Sequence, residues 1–205
     1  MLQDRSKRRI AILGSRHVPV VSIHLVELVA RSLAQEGHNL ITSGSQGVNA
    51  AVIRSVLEID PARLTVLLPQ SLDRQPGESR DQLERVLHLV EKPEHDELPL
   101  PMASSLCNQD IISRCDQLIC YAFHDSETLL ASCRVAEDMG KVVSVIAEHA
   151  AVISEAGAKP AQLAITANVF FDIGRTDGAA LPAEVFVEPV KVDAFAALHQ
   201  RFWQI

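Results

Sequence analysis

The sequence predicts an α/β protein built on a doubly wound, mostly parallel, Rossmann-like sheet with helices on both faces. Three observations lead there. Short runs that are apolar at nearly every position alternate with segments of helical period between residues 9 and 147. These runs lack the in–out alternation of a half-exposed sheet, so crossover helices must cover their strands on both faces. Most runs end on small or turn-forming residues, the punctuation that separates strand from helix.

Arg9-Ile10-Ala11-Ile12-Leu13 opens the pattern as a compact strand ending on Gly14-Ser15-Arg16. From Val20 to Glu36, Ile23, Val26, Leu28, Val29 and Leu33 recur at helical spacing, and Gly37 closes the helix. Asn39-Leu40-Ile41-Thr42 is the second strand, ending on Ser43-Gly44-Ser45-Gln46-Gly47, and Val48 to Leu57 is the next helix. Leu64 to Leu68 is a third strand stopped by Pro69. Asp81 to Leu89 reads as a charged amphipathic helix with Leu83, Val86 and Leu87 facing inward. The acidic, proline-bearing stretch from Glu91 to Pro101 is expected to be a solvated connection. Ala103–Arg114 is helical, Gln117–Phe123 a buried strand, Thr128–Met139 a helix ended by Gly140, and Val142–Ala147 another strand. Residues 150–180 are rich in Ala and Gly with weak periodicity, followed by a strand at Glu184–Val190 and a helix at Val192–Trp203. We therefore divide the chain into a domain over 1–147 and a small strand–helix extension over 148–205 packed on that domain.

With 205 residues the chain can bury a core without staples. Nineteen Lys and Arg stand against 26 Asp and Glu, a net charge of −7, which argues against a surface that coats itself in nucleic acid. Aromatic residues make up only 4%, too few for a stacking platform. No apolar run approaches the ~18–20 residues of a membrane span. The first nine residues are polar and basic, so no secretory signal is expected at this start, and a cytoplasmic protein is expected. Cys107, Cys115, Cys120 and Cys133 fit neither CxxC redox pairs nor zinc knuckles, and read as reduced, packed thiols. The eight histidines form no HxxxH or HExxH pattern, so no metal is expected.

Ligands of open parallel sheets bind beyond the carboxyl ends of the strands, where strand order reverses. Three strand ends carry suitable residues: Gly14, Ser15 and Arg16; Ser43, Gly44, Ser45, Gln46 and Gly47; and Ser126, Glu127 and Thr128 after the run Gln117–Phe123. Each leads toward a helix whose first N–H groups can receive an anion, and Arg16 adds a bidentate cation. Glycine in such turns lets a phosphate approach the backbone. Ordinary βα turns capped by Ser and Thr would show the same composition. Neither GxGxxG nor a Gly-Lys-Ser/Thr loop occurs, so no nucleotide cofactor of those classes and no NTPase is expected. No residue is assigned a catalytic role.

Gly14-Ser15-Arg16, Thr42-Ser43-Gly44-Ser45-Gln46-Gly47-Val48-Asn49, Leu68-Pro69, Asn108 with Ile111-Ile112, Ser113, Cys115-Asp116, and Ser126-Glu127-Thr128-Leu129 with Gly140-Lys141 together resemble the Rossmann-like domain of the DprA/Smf family. The resemblance spans roughly residues 8–147 and reaches the wider superfamily that includes the LOG phosphoribohydrolases. It implies a homodimeric protein that binds single-stranded DNA near those strand ends and works with a RecA-type recombinase. Three positions depart from the family pattern: Gln46 stands where the loop usually carries a positive charge, Asn49 where it carries an acid, and Glu127 where a glycine is usual. The resemblance thus implies a non-enzymatic protein that binds nucleotide or single-stranded DNA phosphate at the crevice. One alternative is a LOG-like nucleotide phosphoribohydrolase, or a degenerate relative that senses the nucleotide. The LOG-type PGGxGTxxE loop would have to lie at His124–Thr128, which has no glycine. Another alternative is a dimeric scaffold with an empty crevice.

Overall fold

The computed structural model describes residues 7–123, 127–148 and 167–171. Its elements run β1 (Arg9–Gly14), α1 (Val20–Gln35), β2 (Asn39–Ser43), α2 (Val48–Ile59), β3 (Leu64–Leu67), α3 (Gly77–Leu83), β4 (His88–Val90), α4 (Leu100–Arg114), β5 (Gln117–Phe123), α5 (Glu127–Asp138), β6 (Val142–Glu148) and β7 (Ala167–Phe171). They form one sheet in the order β4-β3-β2-β1-β5-β6-β7. β1 to β6 are parallel, and β7 adds antiparallel to β6 with Val145 opposite Phe170. The chain leaves β1 toward β2 and leaves β5 toward β6, so connections diverge between neighbouring β1 and β5. That is the topological switch point, and the crevice opens there.

Burial explains why β1 forms. After exposed Arg9, every residue to Gly14 is buried. Ile10 and Ile12 join the core under α1 and α2, with Val26, Ala30, Val52 and Val56. Ala11 and Leu13 join the opposite core under α4 and α5, with Ile111, Ile112, Leu118 and Ala136. Each fully buried Ile or Leu contributes about 1.5–3 kcal/mol of transfer free energy, so both faces are held by comparable apolar layers. α1 and α5 end as their glycines suggest. Gly37 N–H bonds Ala34 O while His38 N–H bonds Leu33 O, and Gly140 and Lys141 repeat this with Glu137 and Ala136.

Three stretches differ from the sequence-based expectation. The helix expected over Asp81–Leu89 is instead the short α3, a turn and the edge strand β4. Leu83 and Val86 are buried as expected, but Leu87 is 66% exposed. β4 has three residues and stands at the edge of the described sheet, so it carries too little apolar pattern to announce itself. The acidic connection is fastened rather than loosely solvated. Gln70 Nε2 lies 3.1–3.2 Å from the carbonyls of His95, Asp96 and Leu98. Ser71 N–H donates to the Asp96 carboxylate and Leu72 N–H to that of Glu91, each at 2.7 Å. The Ser71 N–H holds the Asp96 carboxyl below its ordinary pKa. β7 lies in the stretch read as weakly periodic, and its pairing comes from β6 rather than from local pattern. The expected strand at 184–190 and helix at 192–203 lie outside the described residues.

Candidate functional site

The loops after β1 and β2 are locked to each other. Ser15 N–H continues the ladder by donating to Tyr121 O at 3.1 Å, and Ser15 O accepts from Val48 N–H at 3.1 Å. The first N–H of α2 is thereby committed to protein and is not available to an anion. α1 starts only at Val20, behind Pro19, so the helix does not open directly on Arg16. Neither α1 nor α2 has a side-chain cap.

The glycines of these turns serve packing. A Cβ on Gly14 would stand 2.6 Å from Val48, and one on Gly44 would stand 2.2 Å from Leu68 Cδ2. Gly47 has φ +72° and ψ −124°, and a Cβ there would meet the carbonyl oxygens of Arg16 and Ser15 at 2.3 and 2.4 Å. At all three positions protein atoms fill the space a side chain would take, so packing by itself requires glycine.

Asn49 organises the β2 loop from within. It is buried, its Nδ2 donates to Ser43 Oγ at 2.9 Å and to Ser45 Oγ, and its Oδ1 lies 3.1 Å from Thr42 Oγ1. Thr42 Oγ1 also reaches Ile12 O at 2.7 Å, which ties the cluster to β1. Asn49 was legible only as a motif position; its role needs the loop to fold back over the first turn of α2.

Over these loops lies a cleft of about 590 Å³. Gly14, Ser15, Arg16, Ser43, Gly44, Ser45, Gln46 and Thr128 line it as anticipated, and so does His17. Gly47 lies behind the lining, and Glu127 lines a smaller neighbouring hollow with Ser105, Gln109 and Ser132. Ser126 lies outside the described residues. The far walls were not anticipated: Pro69, Gln75, Pro76 and Ser79 on one side, Leu100, Pro101, Ser104, Cys107 and Asn108 on the other. The fastened connection positions both, and no local motif advertises such a long-range clamp.

Arg16 is the one formally charged side chain lining the cleft among the described residues, and no described carboxylate joins it. Arg16 is exposed and takes no part in the ion pairs that engage Arg9, Arg31, Arg54, Arg63, Arg74, Lys92 and Arg114. Glu78 stands just outside, accepting from Gln46 Nε2 at 3.2 Å. Burial pushes the Cys107 thiol up to about 12, and its Sγ lies 3.5 Å from Leu67 O, so it packs as a neutral thiol. Among the described residues no group of three or more His, Cys, Asp or Glu is placed to hold a metal. No helix there is long and apolar enough to cross a membrane.

No protein-family model matches this chain, and no curated protein matches it. Solved structures do. The fold defines the class as a doubly wound, Rossmann-like α/β domain with its cleft at the strand-order reversal. Within that class its fold is similar to that of two DprA structures. DNA processing protein A from Helicobacter pylori, described for its single-stranded DNA binding mode, superposes with TM-score 0.57 at 24% identity. The match covers 67% of this chain and 64% of that one. The DprA of Streptococcus pneumoniae gives 0.55 at 19% identity, over 72% of this chain and 52% of that one. The chain thus matches about half to two-thirds of those chains, and the likeness at these identities is one of fold.

Proposed function

We propose that this is a non-enzymatic, DprA-like protein that binds the phosphate of a nucleotide or of single-stranded DNA in the cleft between β1, β2 and β5. One observation carries the reading. In a chain of net charge −7, the described cleft lining holds no carboxylate and one guanidinium, which forms no ion pair among the described residues. Hydroxyls of Ser15, Ser43, Ser45 and Thr128 supply the polar contacts that phosphate oxygens need around Arg16. The same lining supports binding over N-glycosidic hydrolysis, because general acid–base work needs a carboxylate against the ribose, and Glu127 lines the neighbouring hollow. A homodimer and a RecA-type recombinase partner enter the proposal from the family resemblance. Residues 148–205 enter it as an extension of the same domain, a reading supported by the pairing of β7 with β6.

Anisotropy titrations of a labelled single-stranded oligonucleotide, with AMP as competitor, test the proposal across a salt series. A site with one cation gives a shallow dependence, a slope of about −0.7 in log K against log salt for single strands. Arg16→Ala should weaken binding of both ligands about tenfold and flatten that slope, with unfolding unchanged. Absence of binding of both ligands at low salt would sink the proposal. Release of adenine from AMP would overturn its non-enzymatic part.

A further inference from the structure

The amide side chains of the cleft are held in one sense, nitrogen toward protein. Gln46 Nε2 donates to Glu78, Asn49 Nδ2 to Ser43 and Ser45, Gln75 Nε2 to Ser71 O at 3.2 Å, and Asn108 Nδ2 to Ser132 Oγ at 3.1 Å. For Gln46, Gln75 and Asn108 the partners dictate the orientation. Carboxylate and carbonyl oxygens only accept. Ser132 gives its single proton to Thr128 O at 2.9 Å, so it meets Asn108 with a lone pair and requires Nδ2 there. Asn49 is buried and turned into its own loop, and Gln46 is exposed at the rim. Gln75 and Asn108 remain, both lining the cleft on opposite walls and each anchored through its nitrogen, which leaves the amide oxygen as the group each can offer a ligand.

Between these walls the cleft is flanked by Pro69, Pro76, Leu100, Pro101 and Leu129, with no aromatic side chain among its described lining. A planar base would therefore lie against proline and leucine surfaces, its identity read at its edge. Two acceptor oxygens favour a base edge that donates. Adenine N6 and cytosine N4 present amino groups there, whereas uracil and thymine present the O4 carbonyl. A carbonyl facing an amide oxygen sets lone pair against lone pair, and a polar site rejects such an analogue strongly. Resting on the nucleotide-binding reading above, we infer that the cleft selects nucleotides whose base carries an exocyclic amino group, through the side-chain oxygens of Asn108 and Gln75.

The test compares AMP with IMP and CMP with UMP by calorimetry on the full chain, with inorganic phosphate as a probe of the Arg16 end alone. AMP and CMP should bind about tenfold more tightly than their oxo counterparts, a difference of about 1.4 kcal/mol by the affinity relation. Asn108→Ala and Gln75→Ala should each shrink that ratio while leaving phosphate affinity in place. Oligo-dC should likewise exceed oligo-dT if the base arrives on a DNA strand, whereas a site for free nucleotides would show the preference only with mononucleotides. Equal binding within each pair, or preference for IMP and UMP, overturns the inference and leaves phosphate binding standing. Loss of all binding, phosphate included, overturns the proposed function and this inference with it.

Discussion

Alanine at Gly47 isolates what holds the two cleft loops together. At φ +72° and ψ −124° the residue occupies a region open essentially to glycine, and forcing a side chain into it costs about 1–3 kcal/mol. The new Cβ would also lie 2.3 Å from Arg16 O and 2.4 Å from Ser15 O. Ordinary contact is ~3.2 Å or more, so these carbonyls must retreat by nearly an ångström. Ser15 O is the acceptor for Val48 N–H, and losing that bond costs about 1 kcal/mol more. Gly47→Ala should therefore destabilise the protein by about 2–4 kcal/mol. Two glycines separate the contributions. Gly140 has φ +68° with open space around it, so Gly140→Ala should cost only the conformational part, about 1 kcal/mol. Gly77 opens α3 with nothing within 4 Å, and Gly77→Ala should be neutral or stabilising by about 0.5 kcal/mol. Urea unfolding followed by far-ultraviolet circular dichroism gives all three values. A Gly47→Ala protein no less stable than Gly140→Ala would refute the account of the locked loops.

Other perturbations follow from single groups. Asn49→Ala leaves the Ser43 and Ser45 hydroxyls without their shared donor and should cost about 2 kcal/mol, read as a lowered urea midpoint. Tyr121 is fully buried, its hydroxyl has no partner among the described residues, and burial pushes its pKa up. Tyr121→Phe should therefore be neutral or stabilising by up to about 1 kcal/mol in the same assay; clear destabilisation would mean the hydroxyl has a partner. Hydrogen bonds from Arg9 hold the Asp116 carboxyl down at about 2, below its ordinary 3.8. A depressed folded-state value means the contribution is complete above about pH 4 and fades as pH falls toward 2. Urea midpoints should accordingly drop less over that interval in Asp116→Asn than in the parent, and the difference should shrink in high salt, since the pair is largely exposed.

Much of this architecture is legible in the sequence because parallel strands buried on both faces must be apolar throughout. Ile10–Leu13, Leu40–Ile41 and Leu118–Ala122 could hardly be anything else once helical segments separate them. β4 escaped because a three-residue edge strand with half-exposed positions has no distinctive period. β7 escaped because its ladder is supplied by β6 across a long separation in sequence. At the site, Arg16 and the serines were legible as strand-end residues, for strand ends at a reversal of order are where open sheets bind ligands.

The sequence alone determined the fold class, the switch-point location of the cleft and the net charge against which any anion must bind. These depend on local pattern and composition, which a single pass along the chain exposes. Tertiary structure decided what the glycines do, since only packing places Val48 and Leu68 against Gly14 and Gly44 and two carbonyls against Gly47. It also decided the far walls of the cleft, because Gln70 gathers carbonyls from residues 25 to 28 positions away. And it turned −7 from an argument against phosphate into one about place. The described lining holds Arg16 and no carboxylate, and Arg16 forms no ion pair among the described residues, an arrangement of side chains in space that no count of charges contains.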